Sequence, residues 1–147
     1  MTAPLTRDKI VAAARCWAGT PYQHQASLKG FGCDCLGLVR GVWRDCVGDE
    51  PEPVAPYSPD WAEATGREQL LLAGRRHFLP ADPNGIRPGD VLLFRWRAHV
   101  PAKHLAIASG ADRMIHAHDG AVVAEVAISG WWRRHIAFSF CFPDLAG

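Results

Sequence analysis

The stretch Gly30-Phe31-Gly32-Cys33-Asp34-Cys35-Leu36-Gly37-Leu38-Val39 places two cysteines in a glycine-punctuated loop that runs into an amphipathic segment. From Leu38 the apolar residues Leu38, Val39, Val42, Trp43, Cys46 and Val47 recur near helical spacing, and Gly48 supplies a stop. Asp34 fits the N-cap and Cys35 the first helical position. Unpaired backbone N–H groups and the helix dipole favour an anion there, so the expectation is a thiolate of lowered pKa, the property of a nucleophile. Gly32 is read as the residue that lets the loop turn tightly, and Gly37 as the one that lets another backbone or a substrate approach the first helical turn. Two other readings compete. Cys35 is a small residue of a type that often simply packs, and Cys33 with Cys35 forms half of a zinc site. Zinc cysteines are usually separated by two to four residues and come with a second pair, which is missing downstream, so no metal is expected.

A nucleophilic thiol needs a base, and the base needs a third group to fix its tautomer and orientation. Three histidines qualify by position. A hairpin turning around Gly110-Ala111-Asp112 with an even register pairs residue 104 with 118 and 106 with 116, so His104, His116 and His118 share one sheet face. The opposite face carries Leu105, Ile107 and Ile115. The expectation is a sheet with one apolar and one polar, histidine-bearing face. His104 is read as the base and His116, its diagonal neighbour, as the orienter. His118, directly opposite His104, is the rival for the third position. His24, His77, His99 and His135 are read as ordinary polar residues.

The elements that must position these groups follow from the rest of the chain. Thr6 is an N-cap, with Leu5 and Ile10 placed as a hydrophobic staple. Ile10, Val11, Ala14, Trp17 and Ala18 give the first helix one apolar face, and Gly19 ends it in the left-handed conformation. Tyr22 then reads either as a core aromatic or as a polar group facing the site. Four prolines between Asp49 and Pro59 forbid regular structure, Ser58 caps a helix running to about Phe78, and 80–88 is expected to be loop. Strands are expected at Val91–Phe94, Leu105–Ala108, Met114–Ala117, Val122–Val126 and within His135–Phe142, joined by short turns as antiparallel neighbours. Helices first and sheet second predict an α+β layer fold.

Composition narrows the function classes. At 147 residues the chain suits one domain, 1–147, with a real core. A hydrophobic content of 48% with 21% charged residues is ordinary globular composition, and no run approaches a membrane span. With a net charge of +1 and dispersed acids and bases there is no basic stripe, so nucleic acid is not an expected partner. The N-terminal residues lack the pattern of a secretory signal, which predicts synthesis in the cytoplasm. Five cysteines without a disulfide rhythm fit a reducing compartment and at least one free thiol.

Gly32-Cys33-Asp34-Cys35-Leu36-Gly37-Leu38 resembles the catalytic signature of the NlpC-type papain-like cysteine peptidases of bacterial cell walls. Gly19-Thr20-Pro21-Tyr22 resembles the family's upstream turn, and Arg87-Pro88-Gly89-Asp90-Val91-Leu92-Leu93-Phe94 resembles the start of its first long strand. Lys103-His104-Leu105-Ala106-Ile107 is similar to its base-bearing strand, and Met114-Ile115-His116-Ala117 to its third catalytic position. The similarity runs from Ile10 to Val126. The family usually has serine after the cysteine, where this chain has Leu36. The resemblance implies a papain-like α+β domain with the cysteine helix packed on an antiparallel sheet. It implies Cys35, His104 and His116 as catalytic residues, Tyr22 and Asp34 as substrate-binding residues lining the site, and no cofactor. The implied substrate is the peptidoglycan stem peptide, cut between γ-D-glutamyl and diaminopimelyl residues. The Cys33-Asp34-Cys35-Leu36 version resembles the branch associated with tail modules of phages and gene transfer agents. That implies phage-like tail proteins as partners and action in the periplasm or wall after packaging in a particle. The alternatives are a catalytically silent structural tail component, and an amidase or acyltransferase using the same triad.

Overall fold

The computed structural model describes residues 4–53 and 68–146. Helix α1 spans Arg7–Arg15; Thr6 caps it as expected, its hydroxyl accepting from the Lys9 N–H at 3.2 Å. Ile10, Val11 and Ala14 form its buried face, and Trp17 lies buried in the turn that follows. Helix α2 spans Cys35–Cys46 and buries Leu38, Val39, Val42 and Trp43. Gly41 is where α2 receives Trp17: a Cβ there would lie 1.9 Å from that indole. The turn after α1 therefore docks on α2 at a position that only glycine can fill. Helix α3, Gln69–His77, agrees with the expected C-terminal end near Phe78, while its expected start at Ser58 lies outside the described residues.

Two short strands, β1 (Ser27–Leu28) and β2 (Gly32–Cys33), make a small hairpin ahead of α2. The main sheet holds β3 (Leu79–Ala81), β4 (Val91–Phe94), β5 (His104–Ala108), β6 (Arg113–His116), β7 (Ala124–Ala127) and β8 (Ile136–Cys141). Its order is β3-β8-β4-β5-β6-β7, with every neighbouring pair antiparallel. The expected strands all form, with ends shifted by a few residues. Strand β3 corrects the expected loop at 80–88: Pro80 is accommodated because β3 is an edge strand, where a missing N–H breaks no ladder.

Both faces of the sheet are covered. On one, α1 and α2 pack against Val91, Leu93, Leu105, Ile107 and Ile115. On the other, Leu92, Phe94, Ala106, Ala108 and Met114 are buried with Ile86 and Ile128 beneath Trp96, Val126, Trp132 and Ile136. Trp132 belongs to a short helix, α4 (Gly130–Arg134). The expected polar histidine face is thus corrected to a second apolar core with histidines at one end. Its strand residues Leu92, Phe94, Ala106, Ala108 and Met114 are all apolar, and the tryptophans that cover it come from outside the strands, where alternation gives no sign of them. One partly buried ion pair locks α1 to the start of β4. Arg7 Nη1 donates to Asp90 Oδ1 at 2.7 Å, while Asp90 Oδ2 accepts the Arg87 N–H at 2.9 Å.

Candidate active site

The loop before α2 is shaped by close backbone approaches. Gly30, at φ 81°, is the turn residue of the β1–β2 hairpin. This corrects the expectation for Gly32, which lies in β2, where a Cβ would meet the Gln23 side chain at 2.4 Å. At Gly37 a Cβ would lie 1.9 Å from the Ala26 carbonyl oxygen, so another backbone does approach the first turn of α2. Asp34 is the N-cap and is buried. Its Oδ1 accepts from the Gly37 N–H and its Oδ2 from the Gln25 N–H, each at 2.7 Å. The second bond helps hold Gln25 at φ 66°, and His24 Nδ1 lies 4.0 Å from the same oxygen. One carboxylate thereby sets both the start of the helix and the path of the loop.

Cys35 is the first residue of α2, and its thiol donates to the Lys103 carbonyl at 3.7 Å. The sulfur therefore sits against the backbone beside His104. Its pKa is pushed up to about 12, first by burial and then by the Asp34 carboxylate, while the N–H groups of Leu105, Leu36 and Cys35 pull it down. The expected lowering is corrected, and magnitudes show why. A helix terminus contributes about 0.3–1 kcal/mol, well under one pKa unit, whereas desolvation shifts buried groups by up to about 3–5 units. Cys33 is buried in the core, and its thiol is pushed up to about 11 for the same reason. Tyr22 is half-buried beside the sulfur; its phenol is raised to about 12 by burial and then by Cys35 and Asp34.

The register Ile107 opposite Ile115 and Ala108 opposite Met114, carried along the pair, puts 104 across from 118 and makes 116 its diagonal neighbour. His104 Nε2 and His116 Nδ1 lie 2.9 Å apart, a buried hydrogen bond whose proton position depends on the tautomers. Burial lowers the His104 pKa well below the usual histidine value, helped by His116 and His118, and burial lowers His116 to about 4, helped by His118. Both rings are therefore neutral at pH 7. The exposed His118 places its ring 5.7 Å from His104 and 5.6 Å from His116, centroid to centroid.

Residues that sequence reasoning missed form the wall behind these rings. Trp132 lies 5.4, 5.1 and 5.6 Å from the rings of His104, His116 and His118, and Trp96 stacks on His104 at 5.5 Å. The available signal was the pair Trp131-Trp132 following Ser129, in a chain with six tryptophans. Of the remaining histidines, His77 bonds Glu52 at 3.1 Å and His135 bonds the Trp131 carbonyl at 2.6 Å.

Helices packed on an antiparallel sheet, a cysteine opening the helix on that sheet and a bonded histidine pair on adjacent strands define a papain-like α+β protein. Residues 19–139 match the NlpC/P60 family, and the chain belongs to it. It is 32% identical over 115 residues to a protein of Bacillus subtilis (strain 168) named Gamma-DL-glutamyl hydrolase, an alignment covering 78% of this chain and 24% of that protein. The chain thus spans about a quarter of that relative's length. Among solved structures it is similar to an NlpC/P60 family protein from Bacillus cereus ATCC 10987, with a TM-score of 0.69 and 17% identity over 95% of this chain and 41% of that one. The NlpC/p60 domain of the peptidoglycan hydrolase SagA gives a TM-score of 0.62 and 22% identity over 94% of this chain and all of that one. These two likenesses establish the fold. No helix among the described residues is long and apolar enough to cross a membrane.

Proposed function

We propose that this protein is a cysteine peptidase that hydrolyses a stem-peptide bond of peptidoglycan, between γ-D-glutamyl and diaminopimelyl residues. The observation that carries the chemistry is the 2.9 Å bond between His104 Nε2 and His116 Nδ1 across two strands, next to the Lys103 carbonyl that accepts from the Cys35 thiol. With Nε2 engaged by His116, Nδ1 of His104 is the nitrogen left for the thiol proton. The thiol and imidazole rest neutral, so proton transfer accompanies attack on the substrate carbonyl rather than preceding it. Cys35 Sγ then bonds the carbonyl carbon, the Cys35 backbone N–H helps hold the oxyanion, and His104 returns the proton to the leaving amine. Water, deprotonated by the same imidazole, cleaves the thioester and restores the thiol. Tyr22 is assigned to substrate binding through its phenol beside the sulfur, whereas Asp34, buried with its oxygens accepting from Gly37 and Gln25, is assigned to holding the loop that lines the site rather than to touching substrate.

The name of the B. subtilis relative supports a γ-glutamyl bond as the point of cleavage. Delivery to the wall by a phage-like tail rests on the Cys33-Asp34-Cys35-Leu36 sequence, and the genes flanking this one test it. The function itself is tested by incubating the purified protein with wall sacculi and identifying released fragments by mass spectrometry. Fragments ending in γ-D-glutamate are expected. Fragments cut at another bond would transfer the triad to an amidase, and none under any condition would favour a silent structural component.

A further inference from the structure

His104, His116 and His118 offer three ring nitrogens that all lie within 4.8 Å of one another. Their centroids form a near-equilateral set, 5.2, 5.7 and 5.6 Å apart, with Trp132 packed against every ring. The reaction proposed above needs a base and one orienting partner and leaves His118 without a part. We propose that the three imidazoles are a binding site for a divalent transition metal, zinc foremost, and that metal bound there switches the hydrolase off.

The donor set has the right chemistry. Imidazole nitrogen suits zinc, and three histidines leave a fourth tetrahedral position for water. Zinc–nitrogen bonds of about 2.0–2.1 Å at tetrahedral angles place ligand atoms about 3.4 Å apart. The His104 and His116 nitrogens at 2.9 Å need to separate slightly, and the wider spacing closes by rotation of the exposed His118. Both buried rings are held in place by the aromatic wall, so most of the ordering cost is met before the metal arrives. Proton balance is simple. The hydrogen shared between His104 Nε2 and His116 Nδ1 moves to the outer nitrogen of whichever ring carries it, and the metal takes both facing lone pairs.

The inhibition rests on the peptidase reading. A neutral His104 bound through Nε2 carries its hydrogen on Nδ1, the nitrogen that must accept the thiol proton. The base is then in the wrong tautomer, and His116 no longer orients it.

The test separates this site from metal capture by the thiol and from failure of the peptidase reading. Metal-stripped Cys35→Ala protein is titrated with zinc by calorimetry and with cobalt by visible absorption. One equivalent is expected to bind, with cobalt bands lacking thiolate charge transfer. Adding His118→Ala or His116→Ala should weaken the affinity roughly tenfold or more, since loss of even an outer partner costs about 10–100-fold. Melting curves establish that each variant is folded, and the exposed His118 keeps the test open if His116→Ala is not. In the Cys35 protein, zinc should inhibit with a midpoint that follows the calorimetric affinity. Zinc binding lost in Cys35→Ala alone, or unchanged by His118→Ala, overturns the site. Binding confirmed without any hydrolysis by the metal-free protein sustains the site and removes the peptidase reading.

Discussion

The two faces of the sheet do different work. The α2 face is built from Leu38, Val42, Leu105, Ile107 and Ile115, with glycines at the closest contacts, and it places the sulfur through backbone geometry. The opposite face is built from Leu92, Phe94, Ala106, Ala108 and Met114 under Trp96 and Trp132, and it places imidazoles through ring packing and one hydrogen bond. Aliphatic packing there would bury the histidines equally well but would leave their ring planes undefined. A thiol at a helix start thus gains its position from the helix, and on the proposed chemistry its activation falls to the imidazoles of the other face.

If that division holds, changes in the first face should damage folding and changes in the second should damage rate. The largest effect falls on the reacting atoms. Cys35→Ala should abolish hydrolysis, a loss of about 10⁴-fold or more, while the core variant Cys33→Ala keeps measurable activity. Rates on a soluble stem peptide check both, and comparable losses in the two would move the nucleophile.

Gly37→Ala sets the new Cβ against the Ala26 carbonyl and should cost about 3 kcal/mol or more of stability, at or beyond the upper end for overpacking. Chemical denaturation measures it. A melting curve unchanged from the parent would show that the loop gives way easily and that the first face is less rigid than described.

On the second face, His116→Asn should retain more kcat/KM than His116→Ala, because an amide can replace the one hydrogen bond to His104 Nε2. His118→Ala should matter least in the absence of metal. Near-wild-type activity in His116→Ala together with a crippled His118→Ala would hand the third position to His118.

The smallest expected effect is on stability against pH. His116 has a folded pKa of about 4 against an ordinary value near 6.5, so the unfolded chain binds more protons through that interval. Stability from this residue is present above pH 6.5 and is lost as pH falls toward 4, on the order of 2–3 kcal/mol, with His104 extending the loss below that. Melting temperatures from pH 7 to 4 should fall in the parent and fall less in His116→Asn.

Much of this arrangement was legible in the sequence because it depends on local signals. Asp34 before Cys35 announced the helix start, and short apolar runs bounded by turn residues marked five strands. The even register about Gly110-Ala111-Asp112 placed His116 diagonal to His104. What the sequence hid depends on distant neighbours. Period two showed which residues share a face but not that α4 and Trp96 cover it. The Cys35 pKa went the opposite way because burial is a property of the packed molecule, whereas the helix dipole can be read from spacing. Pro80 in β3 shows the same limit, since only the finished sheet order reveals an edge.

On the proposed mechanism sulfur and imidazole, delivered from opposite faces, act as one unit. A double-mutant cycle measures this coupling, comparing kcat/KM on one soluble γ-D-glutamyl-diaminopimelyl peptide for the parent, Cys35→Ala, His104→Ala and the double variant. Members of a unit do not add. The double variant should be no slower than the slower single one. Losses that multiply, or a His104→Ala variant that hydrolyses at the parent rate, would contradict it.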